Sequence, residues 1–380
     1  MREPTMIIDV AVIGAGIAGA SVAAELAASA DVVLIEQESQ PGYHTTGRSA
    51  AIYSPIYGPQ PIRALTRASL GFFQSPPSGF CERPLLRAID AAFIARPDQL
   101  EHLDQMQREL ADAPDLERLD AEELSSRLPL LREDYAVGAI WDSGTSEIDV
   151  AALHQGYLRS FKAAGGLLLT NAAVTGMEAS DEGWLINCGV QTIRAKTIVN
   201  AAGAWAENIG EMAGAERIGL VPKRRTALMI DAPKAVSTEK LPLVIDIEEQ
   251  FYLKPDAGKL LISPANEDPE PPCDVRPTEM DIAICVDRIE RAFDISVLRI
   301  ENPWAGLRSF VKDKCPVAGF SKKAPRMYWL AGQGGYGIQS APALAQLAAA
   351  EVLGKSIPAH ILDERLDPAT IRPERAGIGS

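Results

Sequence analysis

An α/β protein built around a parallel sheet is what three stretches of this sequence predict. The first is "VAVIGAGIAGASVAAELAASADVVLIEQ", residues 10 to 37, and the last is "MYWLAGQGGYGIQSAPALAQLAAAEVL", residues 327 to 353. Each reads as a strand, a glycine turn and an alanine-rich helix, the alternation that builds parallel sheets. Between them "TIVNAAGAW", residues 197 to 205, is a strand running into small residues. Because related units stand at both ends of the chain, the domain they form is discontinuous, and a second domain is inserted into it.

The first stretch is apolar enough to suggest a secretory signal or a membrane span. The segment before it holds Arg2 against Glu3 and Asp9, a poor basic leader. A spanning helix needs about 20 apolar residues with few or no charges, and Asp9, Glu25 and Asp31 interrupt this run. A nucleotide socket explains every special residue instead. Ile7 to Ile13 has strand length, and Gly14, Gly16 and Gly19 follow as G-x-G-x-x-G. Gly14 permits the tight turn, Gly16 lets the backbone approach a pyrophosphate, and Gly19, after Ala18, lets helix pack on strand. The phosphates then meet unpaired N–H groups at the helix N-terminus. The second strand, Asp31 to Ile35, delivers Glu36 22 residues after Gly14, where an acid accepts hydrogen bonds from a ribose, with Gln37 beside it.

Composition narrows the partners. The 380-residue chain can bury a large core and suggests two domains. Its formal net charge of -14, from 37 basic and 51 acidic residues, opposes nucleic acid or an anionic membrane as the main partner. Five scattered cysteines without a CxxC pair fit a reducing, cytoplasmic setting, with peripheral attachment to the inner membrane left open. Four histidines without HExxH-like spacing give no reason to expect a metal. No later apolar run reaches spanning length.

Further elements follow in order. Helices are expected at 61 to 74 and 97 to 112, after a capping box at Asp120 and Glu123, and from Asp149 to about Ala164. Strands are expected at Leu167–Thr170, Ala172–Met177, Trp184–Cys188 and Thr197–Asn200, and an antiparallel sheet over 220 to 263. The proline-rich stretch 263 to 277 reads as loop, and a helix follows near 279 to 293. The resulting division puts 1–80, 145–215 and 305–380 in a Rossmann-type cofactor domain. Residues 81–144 and 216–304 form an inserted α+β substrate domain with an antiparallel sheet.

The second glycine turn, "GQGGYGIQ", about 300 residues after the first, selects the cofactor. NAD dehydrogenases complete their nucleotide domain in one continuous half, whereas FAD needs a second contact for its flavin end. The chain resembles the D-amino-acid oxidase and glycine oxidase superfamily of FAD enzymes, and within it the bacterial catabolic D-arginine dehydrogenase branch. "PGYHTTGRSAA", "PPSGFCERPLL", "ALHQGYLR", "NAAGAW", "PKRR", "FYLKPDAG", "SPAN", "WAGLRSFV" and "QGGYGIQ" carry the resemblance over nearly the whole chain. It implies bound FAD, hydride taken from the α-carbon of a D-amino acid, and hydrolysis of the imine to a 2-oxo acid and ammonia. Electrons then pass to a quinone, a carrier protein or oxygen, and no motif chooses among these.

The resemblance also implies roles. Arg308 and Arg225 would hold the substrate carboxylate, for which arginine's planar fork is suited. Lys223 and Arg224 are expected to be solvated. Tyr252 and the lid residue Tyr57 would face the substrate, while Tyr53 is as well explained by packing. Arg48, Ser49 and Ala50 resemble pyrophosphate and flavin contacts, Val174 an adenine contact, and Ala202 and Gly203 cofactor lining. Gly334, Gly335, Tyr336, Gly337, Ile338 and Gln339 form the flavin-side turn, with Gln339 also near the reacting groups. His44 is expected to bond in its loop rather than act as a base. Cys315 lies several residues after the anchoring cysteine of relatives, so FAD should be non-covalent.

Two departures bear on the substrate. Where D-arginine-preferring relatives carry a histidine this chain has Ile52, and where they carry a glutamate it has Ala91, unless Asp90 substitutes. Both changes favour neutral or apolar side chains. Oxidation of glycine, sarcosine or another secondary amine is the alternative within enzymes, and a non-catalytic FAD-binding protein is the alternative of another class.

Overall fold

The computed structural model describes residues 6–234 and 236–379; Arg2 and Glu3 of the leader lie outside them. Strand β1 (Met6–Ile13), helix α1 (Ile17–Ala27) and strand β2 (Val32–Ile35) form the expected opening unit. Asp9, the one charge in β1, accepts from the Asp31 N–H at 3.0 Å and pairs with Lys196 at 2.7 Å, so it closes the sheet's end rather than breaking the strand. The β1 strand lies between β2 and the strand Gln191–Asn200, parallel to both. The C-terminal strand Met327–Ala331 joins Gln191–Asn200 in parallel, which brings the two ends of the chain into one eight-stranded sheet. On one face α1 packs against the helices Val150–Ala163 and Gly337–Val352. The other face buries Trp184, Ile198 and Trp329.

A second, nine-stranded sheet carries the inserted residues. Its pairings are antiparallel except one, where Leu243–Asp246 runs parallel to Ala91–Ala95. The strand Val221–Ile230 is its hub, paired antiparallel to Lys259–Ser263 and to Ile300–Phe310. The latter strand runs through residue 305, so the second sheet extends past the boundary expected from sequence.

Most expected elements form with small shifts. The helices are Gln60–Gln74, Leu100–Glu109, Val150–Ala163 and Glu279–Ala292. The Asp120 carboxylate accepts from the Glu123 N–H at 2.9 Å, and the Glu123 carboxylate accepts from the Asp120 N–H at 3.0 Å, completing the capping box. The strand expected at 172 to 177 begins at Val174. The loop 263 to 277 contains a two-residue strand, Asp268–Pro269, which pairs with Lys223 and Arg224. Proline tolerates this position because the short segment lies at the sheet's edge.

Candidate active site and cofactor cleft

The first glycine turn is shaped by contact. Gly14 sits at φ +97°, and a β-carbon there would lie 2.5 Å from the Ala201 carbonyl oxygen. A β-carbon on Gly19 would lie 1.7 Å from the Gly14 carbonyl oxygen, so that position holds helix against turn. The Glu36 carboxylate accepts from the backbone N–H groups of Ala15, at 2.8 Å, and Glu38, at 3.0 Å. Thr46 Oγ1 accepts from the Ile17 N–H at 2.9 Å, and the His154 ring bonds the Ala15 carbonyl through Nε2 at 2.9 Å. Neither Thr46 nor His154 stood out in the sequence, because both reach the turn from distant segments.

From this turn a cleft runs between the two sheets. Its lining includes Glu36, Gln37 and Val174 from the nucleotide sheet, and Arg225, Tyr252 and Arg308 from the second. Gly14, Gly16, Ala18, Arg48, Ser49, Ala50, Ala202, Gly203, Gly334, Gly335, Gly337 and Ile338 also line it. Gly19 lies behind the wall, as its packing role requires. Two expectations need correction. Gln339 does not line the cleft: it is 3% exposed, and its Oε1 accepts from the Ser54 N–H at 3.0 Å. The glutamine of this turn that does line it is Gln333. Tyr336 is buried behind Gly335, edge-on to Tyr57 at 5.1 Å between ring centroids. Arg48 lines the cleft, but its guanidinium donates to the Val275 and Ala305 carbonyls at 3.0 Å and pairs with Asp274.

The inserted sheet grips this loop. Thr45 Oγ1 donates to the Leu307 carbonyl at 2.7 Å, and Trp304 Nε1 donates to the Arg48 carbonyl at 3.0 Å. The strand carrying Arg308 is thereby tied to the loop that walls the cleft.

Register brings the two arginines together. In the antiparallel pair, Arg308 lies opposite Lys223, and Arg225 lies opposite Gly306. Arg225 and Arg308 are therefore diagonal neighbours on one face. Arg225 donates to the Asn266 carbonyl at 2.9 Å and pairs with Glu267 at 3.3 Å. Burial and the neighbouring Arg308 charge both lower its pKa. Arg308 has no carboxylate within 4 Å among the described residues, and it packs so closely that a β-carbon on Gly335 would lie 2.7 Å from its NH1. Arg224 points to the other face, contrary to the solvated role expected of it. It is 9% exposed, donates to Asp281 at 2.8 Å and also pairs with Asp268 and Glu270. Lys223 pairs with Glu267 at 2.8 Å. Burial raises the pKa of Tyr57, keeping its hydroxyl protonated.

Tyr53 packs on Phe73 in the core. His44 lines the cleft and lies 3.0 Å from Glu38, against the Trp205 ring. Cys315 is buried and outside the cleft lining, its thiol pushed up to about 11 by burial and by Asp313. Ala91, fully buried, belongs to an apolar cluster that also holds Ile56 and Phe93 and is packed by Ile52, Ile247 and Tyr252. Asp90 is exposed, on the opposite side of that strand, so it cannot replace the acid missing at Ala91.

The cleft fits an extended dinucleotide with a redox-active end. It has a helix N-terminus and an acid in one part and glycine backbone in another. Gln333 Nε2 and Ser309 Oγ, both from cleft-lining residues, are buried without a partner. Such atoms are costly to leave unsatisfied, and a polar cofactor can supply the missing bonds. Among the described residues no cluster could hold a metal ion.

The FAD dependent oxidoreductase family, DAO, matches residues 9–351. The chain belongs to this family. FAD is its cofactor, and the α/β fold with mixed sheets is the family's fold. Human mitochondrial dimethylglycine dehydrogenase is 26% identical over 389 residues, covering 95% of this chain and 44% of that protein. The chain thus spans less than half the length of that relative. Glycine oxidase from Geobacillus kaustophilus superimposes with a TM-score of 0.83 at 22% identity, covering 98% of this chain and 99% of that one. Iminodiacetate oxidase from Chelativorans sp. BNC1 superimposes with a TM-score of 0.77 at 24% identity, covering 92% and 96%. The match over residues 9–351 fixes the family, and these similarities do not choose a branch within it. Among the described residues no helix is long and apolar enough to cross a membrane.

Two outcomes are expected. FAD is released by acid denaturation and passes a filter that retains the polypeptide, because Cys315 lies away from the cleft; flavin retained with the chain contradicts this. The second concerns His154, whose pKa burial lowers. A group with a depressed folded pKa binds protons more readily when unfolded, so its stability contribution is present above the unfolded value, about 6.5, and is lost as pH falls below it. The melting temperature should drop between about pH 7.5 and about pH 5.5, and less steeply in His154→Gln. Equal slopes in parent and variant exclude the effect.

Proposed function

We propose that this protein oxidises the Cα–N bond of amino acids bearing neutral side chains, with D-amino acids as the principal substrates. The observation that carries the reading is the pair Arg225 and Arg308 on one face of the second sheet, opening onto the cleft. A protein that merely bound FAD would need no such pair. Arg308, with no carboxylate within 4 Å among the described residues, offers a bidentate fork to the substrate carboxylate. Tyr252 and the protonated Tyr57 add hydroxyl donors. These contacts fix the α-carbon, and a fixed reacting geometry contributes strongly to rate. FAD, when bound, supplies the acceptor for a hydride from Cα. Loss of that hydride from the neutral amine leaves an iminium, which water hydrolyses to a 2-oxo acid and ammonium.

The apolar surroundings of Tyr252 support neutral side chains. Ile52 and Ala91 belong to that cluster, and an unpaired guanidinium buried there would cost several kcal/mol. Each buried methylene instead contributes about 0.8 kcal/mol. A second reading, oxidation of an N-methylated glycine, is favoured by the similarity to dimethylglycine dehydrogenase across 95% of this chain.

Anaerobic bleaching of the flavin separates the readings: D-methionine and D-leucine support the first, and bleaching by sarcosine or dimethylglycine alone supports the second. With an artificial electron acceptor, kcat/KM for D-methionine and D-leucine should exceed that for D-arginine and D-lysine, and a clear preference for D-arginine contradicts the assignment of the apolar cluster. Arg308→Lys should weaken amino-acid binding by about 1.5–3 kcal/mol, roughly 10- to 100-fold, with FAD binding far less affected. Unchanged substrate titration removes Arg308 from the carboxylate site.

A further inference from the structure

A second pocket, of about 640 Å³, adjoins the cofactor cleft. Its volume falls in the range of small-molecule sites, roughly 300–1,000 Å³. The amine chemistry proposed above does not use it. Arg48, Ser49, Ala50 and Trp304 line both the pocket and the cleft, so this loop and this indole are the wall between them. Arg225, Tyr252 and Arg308 line the cleft alone.

Strand register puts the pocket beside the arginine end of the cleft. Trp304, Gly306 and Arg308 alternate onto one face of their strand. Lys254, which lines the pocket, follows the cleft residue Tyr252 by two positions on one face of Tyr252–Asp256. That step is about 7 Å along a strand. No residue of the first glycine turn lines the pocket.

The opposite wall comes from a three-stranded sheet of Ile52–Tyr53, Ser146–Ile148 and Leu86–Ala88. An ion pair joins the two walls. Lys254, only 3% exposed, pairs with Glu147, whose carboxylate also accepts from Arg87 Nε at 2.9 Å. An ammonium carries three donors. Glu147 takes one, and Asp256, at 3.7 Å, lies beyond hydrogen-bond distance. Leu85, Leu86, Ile148, Leu261 and the Trp304 ring supply apolar surface around this cation.

We propose that this pocket binds a quinone as the electron acceptor, so that the reduced cofactor is reoxidised from a side the amine does not occupy. A planar ring with carbonyl oxygens suits these walls. The apolar side chains cover the ring, and the Lys254 ammonium meets a carbonyl oxygen whose negative charge grows as electrons arrive. Dioxygen needs no pocket of this size, and a carrier protein docks on a surface rather than inside one. The quinone takes two electrons and two protons from the reduced flavin and leaves as a hydroquinone, so no further reactant is required. The inference rests on FAD as the cofactor and not on the choice of amine.

The test mixes anaerobically photoreduced, FAD-loaded protein with duroquinone and reads reoxidation from the returning flavin absorbance. Photoreduction needs no amine, so a failure of the substrate reading leaves this test intact. In the parent the rate should saturate with duroquinone. Leu86→Trp, which fills the pocket, should raise the half-saturating concentration by about 10-fold or more, and Lys254→Met should raise it in the same direction. Calorimetry of duroquinone with the oxidised protein should show the same shift in dissociation constant without turnover. Flavin bleaching by whichever amine reduces it should keep its rate in both variants. Flavin content and melting temperature are the controls on folding, and if Leu86→Trp loses its flavin, Lys254→Met carries the test. Reoxidation that never saturates in the parent, or variants that bind duroquinone as the parent does, overturns the proposal. Variants that slow bleaching by the amine while binding duroquinone unchanged assign the pocket to the amine and overturn it equally.

Discussion

The antiparallel pairing of Val221–Ile230 with Ile300–Phe310 is the constraint on which the site depends. Pairing residues 225 with 306 and 223 with 308 puts two guanidiniums on one face and leaves a glycine between them and the cleft-side loop. A slip of one residue would turn one of the arginines to the opposite face. The same strand is bound to the cofactor loop through Leu307, Ala305 and Trp304. Substrate recognition and the cofactor cleft are therefore set by one element, and a distortion of either is felt by the other.

Burying two like charges is costly unless the surroundings answer them. The answers here are unequal. Arg225 is tied to Asn266 and Glu267. Arg308 has no carboxylate within 4 Å among the described residues. An under-compensated cation at the end of a cleft is a natural anion receptor. Burial keeps the phenols of Tyr57 and Tyr336 neutral and able to donate.

The glycine turn, its flanking strands and Glu36 were legible in the sequence because each requirement is local. So was the discontinuous cofactor domain, since two similar units stand far apart along the chain. What could not be read came from contacts between distant segments. Thr46 and His154 complete the first turn from elsewhere. Arg224 looked solvated, although strand alternation alone sends it to the face opposite Arg225. What the alternation could not supply is the helix Glu279–Ala292, whose Asp281 receives it. A one-residue uncertainty in the resemblance leaves Asp90 and Ala91 interchangeable in sequence, and parity in the strand Ala91–Ala95 separates them. Gln339 lies in the first turn of the helix Gly337–Val352 and points to Ser54. Gln333, four residues before that helix begins, stays in the turn and faces the cleft. The two glutamines differ by fold geometry that composition does not carry.

The central claim is that Arg225 and Arg308 together receive a substrate carboxylate beside the cofactor. A crystal structure of the FAD-loaded protein with propionate bound would test it most directly. The account predicts the carboxylate seated in a bidentate contact with Arg308, within reach of Arg225 and Tyr252, with its carbon chain toward Ile52 and Ala91. A carboxylate bound elsewhere, or an Arg308 paired with an acid of the protein when FAD is present, would contradict it.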